Sequence, residues 1–101
     1  YSGNFVEKNL NESAKWFRKA ALQGNAEAQL MMSTMNGQAM GIPQDIVASY
    51  AWALIGARNG SKNCQKILEI LPTLLGANQI AAGKALVEDL IKKNPKLLNK
   101  K

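Results

Sequence analysis

The stretch WFRKAALQGNAEAQ, residues 16–29, returns 36 positions later as WALIGARNGSKNCQ, residues 52–65. The shift brings identical residues into register, namely Ser13 with Ser49, Trp16 with Trp52, Ala21 with Ala57, Gly24 with Gly60 and Gln29 with Gln65. The chain has only two tryptophans, so their alignment by chance is improbable. The sequence therefore predicts an internal repeat.

Each copy of the repeat predicts two helices separated by a glycine. In the first copy, apolar residues spaced three and four apart predict a helix over about residues 11–23, with Asn9 or Asn11 as its N-cap. Gly24 stands where a helix ends in a left-handed residue. Asn25 follows as the N-cap of a second helix, which runs through a methionine-rich segment.

The second copy follows the same plan, with Asp45 and Ser61 as N-caps. Further helices are predicted over residues 46–59, 62–71 and 78–93. The last of them carries Ile80, Gly83, Val87, Leu90 and Ile91 on one face. The predicted fold is all-α, a stack of antiparallel helix pairs that forms an α-solenoid.

The repeat resembles the Sel1-like repeat family, a relative of the tetratricopeptide repeat. The matching residues are Trp16, Ala20, Ala21, Gly24, Ala28 and Gln29, and the loop Gly41-Ile42-Pro43-Gln44-Asp45 is similar to the closing loop of that family. Ser33, Asn36 and Ala39 depart from the family pattern, and we expect these changes to loosen the loop of residues 36–42. The resemblance implies an α-α superhelix, a right-handed solenoid with a C-terminal capping helix.

This resemblance also divides the chain. The expected parts are a repeat segment over 1–94, made of the end of a preceding repeat (1–8), repeats over 9–44 and 45–76 and a capping helix (77–94), followed by a basic tail (95–101).

Composition argues against catalysis. The chain has no histidine and a single cysteine, Cys64, which excludes histidine-dependent triads, histidine–metal sites and an intramolecular disulfide. It also has no recognisable nucleophile, phosphate-loop or paired-cysteine motif. We therefore expect no catalytic residue, no cofactor and no metal. Cys64 occupies an alanine position of the repeat and is predicted to be a small buried residue, and Trp16 and Trp52 are predicted to be core residues.

The formal net charge of +6 is concentrated at the C-terminal end. Five of the thirteen basic residues follow residue 91 without any acidic residue among them: Lys92, Lys93, Lys96, Lys100 and Lys101. The first two suit the C-terminal end of a helix dipole, and the others are expected in a frayed tail. The charge is thus weak support for a nucleic-acid partner. No apolar run is long enough to span a bilayer.

Two surfaces are candidates for binding a partner. The first, the charged strip, is the exposed row of the first helix: Glu12, Lys15, Arg18, Lys19 and Gln23. The second, the apolar patch, contains residues of the third helix: Ala48, Ala51, Leu54 and Ile55. Because that helix is apolar nearly all round, it should be covered on both sides. Either the last helix folds back over the patch, which we favour, or a partner or a second copy docks there.

Taken with the resemblance, these features predict a non-catalytic protein–protein interaction scaffold, the C-terminal part of a Sel1-like repeat protein. The expected partner is another protein or a peptide, and the sequence leaves undecided whether the chain forms a homo-oligomer. The alternative is that the lysine-rich C-terminus binds nucleic acid or an anionic membrane. The resemblance implies a bacterial source, with the periplasm, cell envelope or secretion as the compartment, although members of the eukaryotic endoplasmic reticulum exist.

Overall fold

The computed structural model describes residues 3–40 and 44–98. Its α-helices are α1 (Gly3–Leu22), α2 (Ala26–Gln38), α3 (Ile46–Arg58), α4 (Lys62–Ile70) and α5 (Ala77–Lys93). Short 3-10 helices follow at Leu71–Leu74 and Pro95–Leu97. No strand occurs in the two described ranges. The predicted all-α class and the helix-pair arrangement are confirmed.

The predicted helix boundaries rest on side-chain caps that the structure contains. Asn25 Oδ1 accepts from the N–H of Ala28 at 2.9 Å, Asp45 Oδ1 from that of Ala48 at 3.0 Å, and Ser61 Oγ from that of Cys64 at 3.1 Å. Each bond satisfies an amide that the first turn of a helix otherwise leaves without an acceptor. Gly24 and Gly60 have φ angles of 94° and 93°. Both first helices of the two pairs thus end in a left-handed glycine, as predicted.

The start of α1 differs from the prediction. Because α1 runs without a break from Gly3 to Leu22, Asn9 and Asn11 lie inside the helix and neither is its N-cap. The reason is local, since residues 4–10 contain no proline or glycine that would end a helix. The division predicted between residues 8 and 9 falls within this helix.

Helix α3 lies at the centre of the molecule. It packs against α2, α4 and α5, and its Ala51 and Ile55 are fully buried, with Trp52 only 3% exposed. These side chains form one apolar cluster that also contains Val87 of α5 and Leu97. Burial on several sides agrees with a helix whose sequence is apolar nearly all round.

Helices α2 and α3 approach closely through small residues. Ser33 Oγ donates to the carbonyl of Ser49 at 2.8 Å, and Ser49 Oγ donates to the carbonyl of Ser33 at 2.7 Å. Both serines are buried, and the reciprocal bonds satisfy their hydroxyls inside the core. Ser33, a departure from the family pattern, is therefore part of the helix–helix contact.

The loop after α2 is held at both of its described ends. The carbonyl of Asn36 accepts from the N–H of Asp45 at 3.0 Å, and Asn36 Nδ2 donates to the carbonyl of Met32 at 2.8 Å. Gln44 Nε2 donates to the carbonyl of Gly37 at 2.9 Å. These bonds join Asn36 and Gly37 to Gln44 and Asp45. The Gly41-Ile42-Pro43 part of the resemblance lies outside the described residues, and the expected loosening of the loop stays a prediction.

Helix α5 runs along α3 in the same direction. Near its first turns Gly83 lies against the ring of Tyr50, and further along Glu88 is 3.5 Å from Arg58. The Arg58–Glu88 pair is exposed, so the apolar contacts of Val87, and not this ion pair, account for most of the attachment.

The contact between Gly83 and Tyr50 predicts the sign of a substitution. In an open helix Gly→Ala stabilises by about 1 kcal/mol. At Gly83 the added methyl would overlap the Tyr50 ring, and overpacking costs about 1–3 kcal/mol. We therefore expect Gly83→Ala to lower the free energy of unfolding, measured by urea denaturation. In a Tyr50→Val background the same change should become stabilising, and a stabilising effect with Tyr50 present would contradict the packing described.

Ala39 offers the opposite test. It ends α2 with φ 55° and ψ 41°, and its N–H donates to the carbonyl of Met35. An alanine in this left-handed conformation is strained, and glycine is not. Ala39→Gly should raise the free energy of unfolding by about 0.5–1 kcal/mol. The matched control is Ala85→Gly in the exposed middle of α5, which should lower it by about 1 kcal/mol. If Ala39→Gly lowered the free energy of unfolding as much as Ala85→Gly does, Ala39 would carry no strain.

Candidate partner-binding surfaces

The charged strip lies on the outer side of α1. All five of its residues, Glu12, Lys15, Arg18, Lys19 and Gln23, are exposed. Four of them line one shallow depression of about 500 Å³ together with two apolar residues, and the complete lining is Glu12, Lys15, Trp16, Arg18, Lys19 and Leu22. Gln23 is exposed nearby but does not line the depression.

Trp16 is placed at the surface, so the prediction that both tryptophans belong to the core is wrong for this one. Trp16 is 71% exposed, whereas Trp52 is 3% exposed. The repeat positions match, but their neighbours differ. Trp52 lies on α3, which has packed helices on several sides, whereas α1 packs against α2 and makes a smaller contact with Pro95–Leu97. Within the described part of the chain, neither neighbour covers Trp16.

The depression combines an aromatic face with positive charge. Lys19 Nζ lies 5.4 Å from the centre of the Trp16 ring, within the range of a cation–π contact. The lining contributes three cations, Lys15, Arg18 and Lys19, against the carboxylate of Glu12. Such a surface can hold an apolar side chain against Trp16 and attract carboxylates to its edge. Sequence reasoning found the charges but assigned the tryptophan to the core.

The apolar patch is covered within the chain. Ala51 and Ile55 are 0% exposed, and Ala48 and Leu54 are half-buried against the same cluster, which includes Val87 of α5. Of the two alternatives predicted for this face, the structure has the folded-back last helix. Ala51 and Ile55 are therefore not available to a partner in this conformation.

The segment after α5 is also packed, so the expectation of a frayed tail is wrong for residues 95–98. Leu97 is 0% exposed. Its carbonyl oxygen accepts from Gln29 Nε2 at 2.9 Å and from Asn59 Nδ2 at 2.7 Å. The signal for this packing in the sequence is the apolar pair Leu97 and Leu98, which lies among lysines.

The alternative partner, nucleic acid or an anionic membrane, is predicted from the C-terminal lysines. Lys92, Lys93 and Lys96 are exposed, and Lys93 Nζ lies 3.1 Å from Asp89 Oδ2. Lys100 and Lys101 lie outside the described residues.

Cys64 has the environment of a structural residue. It is fully buried, as predicted, and its Sγ occupies the space that a Cβ at Gly56 would fill. Burial raises the pKa of the Cys64 thiol, and a hydrogen bond with Ser61 opposes that rise. The thiol is therefore neutral near pH 7, the opposite of an activated nucleophile. Over residues 3–40 and 44–98 there is no group of three or more acidic, cysteine or histidine side chains suited to a metal, and no helix with the length and apolarity needed to cross a bilayer.

Comparison with known proteins identifies the repeat. The family model described as Sel1 repeat matches residues 1–25 and 26–61, and the chain belongs to the Sel1 repeat family. Repeats of this family generally serve as protein–protein interaction scaffolds, and the fold is of a non-catalytic kind.

Two relatives show how the chain compares with longer proteins. Chitin synthase regulatory factor 3 of Schizosaccharomyces pombe is 32% identical over 68 residues, which cover 67% of this chain and 7% of that protein. A protective antigen present in uropathogenic Escherichia coli strains, which displays an SLR fold, superposes with a TM-score of 0.79 at 27% identity. That match covers 87% of this chain and 19% of the antigen. The chain thus spans only a small part of either relative.

The different burial of the two tryptophans predicts a fluorescence experiment. Acrylamide should quench the emission of the exposed Trp16 and leave that of the buried Trp52 largely intact. Trp16→Phe should remove the quenchable component and leave the blue-shifted one, whereas Trp52→Phe should do the reverse. A quenchable component that survives Trp16→Phe would contradict the exposure of Trp16.

Proposed function

We propose that this chain is a non-catalytic scaffold that binds another protein through the charged strip, with Trp16 as the central contact. The observation that supports the proposal is the 71% exposure of Trp16 in a depression lined by strip residues. Tryptophan and arginine are the residues that most often dominate binding at protein interfaces.

The chemistry of the strip favours a protein partner with acidic character. An apolar side chain of the partner would bury against Trp16 and Leu22, both of which line the depression. Carboxylates of the partner would then pair with Lys15, Arg18 and Lys19 at the rim. Since these cations are exposed, they would accelerate association and select the partner more than they would strengthen the complex.

Charge reversal on the strip tests this proposal. The change is the double substitution Lys15→Glu and Lys19→Glu in the full chain, used as bait for affinity capture with quantitative mass spectrometry of the captured proteins. Losing and reversing two exposed ion pairs should weaken binding about tenfold. The melting temperature should fall by no more than about a few degrees, because both side chains are exposed and only the helix-dipole and surface contacts of Lys19 are lost.

The chain offers a matched control on another helix. Lys62→Glu and Lys66→Glu on α4 change the net charge by the same amount, have the same four-residue spacing, and also alter exposed side chains. Partners bound by the strip should be retained by this control and lost by the strip variant. Equal capture by both variants would refute the proposal.

A further inference from the structure

The segment of residues 94–98 lies against the junction between the two helix pairs. Its anchor is Leu97, whose fully buried side chain belongs to the same cluster as Trp52. The carbonyl oxygen of Leu97 accepts two hydrogen bonds, from Gln29 at 2.9 Å and from Asn59 at 2.7 Å. We call Gln29 and Asn59 the amide clamp.

The amide clamp is built to hold a main-chain carbonyl. Gln29 Nε2 also donates to the carbonyl of Ala21 at 2.9 Å, and Asn59 Nδ2 also donates to Gln29 Oε1 at 2.7 Å. The two amides therefore orient each other, and each directs an N–H at the oxygen of Leu97. With the segment in place Gln29 is 0% exposed, and the carbonyl of Leu97 is the acceptor of an N–H that water does not reach there.

We propose that the amide clamp and the adjoining leucine cavity form a binding site for a short, leucine-containing 3-10 segment of a partner protein, and that residues 94–98 occupy it in cis. The inference rests on the proposed function in that the chain binds proteins. It adds a second site, the chemistry recognised there, and a means by which the chain controls its own binding.

The occupant is attached in a way that permits exchange. Asn94, with φ −138° and ψ 81°, departs from the helical conformation and separates the segment from α5. The 3-10 helix itself is only three residues long, and Pro95 and Lys96 are exposed. Leu97 is thus its principal anchor, and the opening of such a short unit does not require α5 to unfold.

Comparison of Gln29 with Gln65, its counterpart in the second copy, shows which hydrogen bond of Gln29 belongs to the repeat. Gln65, the counterpart of Gln29, donates to the carbonyl of Ala57 at 3.5 Å, as Gln29 does to the carbonyl of Ala21. Gln65, however, is exposed. The bond within the helix pair is therefore a property of the repeat, whereas the buried second acceptor is specific to the place where Leu97 lies.

The recognised chemistry follows from the occupant. A main-chain carbonyl is common to every peptide, so the amide clamp fixes the position and direction of the ligand and not its sequence. The apolar cavity selects the side chain, and it is filled by a leucine. Together these two features resemble peptide recognition in general, in which main-chain hydrogen bonds supply affinity and pockets supply specificity.

The experiment uses the full chain and a defined probe. The probe is the labelled hexapeptide Lys-Asn-Pro-Lys-Leu-Leu, residues 93–98, acetylated and amidated at its ends. Leu97→Asp in the full chain should expel the segment, since a carboxylate is costly in an apolar cavity. By fluorescence polarisation this variant should bind the probe at least about tenfold more tightly than the unmodified chain, because the cis competitor is gone.

Three controls define the site. Lys96→Asp introduces the same side chain at an exposed position of the same turn, and it should bind the probe as weakly as the unmodified chain. A probe with its Leu97 position changed to Asp should not bind. Adding Asn59→Ala to the Leu97→Asp chain should weaken probe binding about three- to tenfold. Equal binding of the probe by the unmodified and Leu97→Asp chains would overturn the proposal.

Hydrogen exchange tests whether the segment of residues 94–98 opens, without any substitution. The N–H of Leu97 donates to the carbonyl of Asn94 at 2.9 Å, so its exchange rate reports opening of the segment. It should exchange faster than the amides in the middle of α5. If the N–H of Leu97 and the amides of α5 exchanged only through global unfolding, the proposal would be overturned. Dimers of the unmodified chain that the probe dissociates would also overturn it, because the site would then bind a second copy of the chain.

The clamp and the charged strip can fail separately. If the probe does not bind but capture by the bait still depends on Lys15 and Lys19, only the clamp is refuted. If the probe binds the released clamp but charge reversal on the strip leaves capture unchanged, the strip is refuted and the clamp stands.

Discussion

The rest of the molecule depends on the need to bury α3. Its sequence offers almost no polar face, so a pairing with α2 alone would leave apolar surface in water. Helix α4 and helix α5 supply the remaining cover, and Ala51 and Ile55 end with no exposed surface. The first helix pair, by contrast, contributes α1 with a charged outer side. The same repeat therefore produces one helix buried on several sides and one with an exposed, charged side.

Features that depend on neighbours in sequence could be predicted. The caps Asn25, Asp45 and Ser61 act on amides three residues later, and the left-handed Gly24 lies at the end of its own helix. That the apolar patch would be covered could also be predicted, with the last helix favoured over a partner or a second copy as the cover. Such inferences need only the periodicity of apolar residues and the hydrogen-bonding rules of helix ends.

Features that depend on tertiary neighbours could not be predicted from the sequence. Trp16 and Trp52 occupy the same repeat position, yet burial depends on which helix stands opposite, and the repeat pattern does not contain that information. The same holds for Leu97, which lies in a lysine-rich stretch of sequence. Its side chain is buried in the apolar cluster, and its carbonyl is bound by Gln29 and Asn59 from two different helix pairs. For the candidate sites, the sequence supplied the cations of the strip, while the aromatic contact and the amide clamp came from the structure.

The bond between Gln29 and Leu97 also bears on how the chain folds. Its two residues are 68 positions apart, whereas repeat stacks are held mostly by contacts between adjacent units. These two residues meet only when α2 and the segment after α5 are both in place around α3, so we expect this contact to form after the helix pairs have assembled. The carbonyl of Leu97 is bound by residues from both helix pairs at once. The bond would then fasten the two pairs together once both have formed.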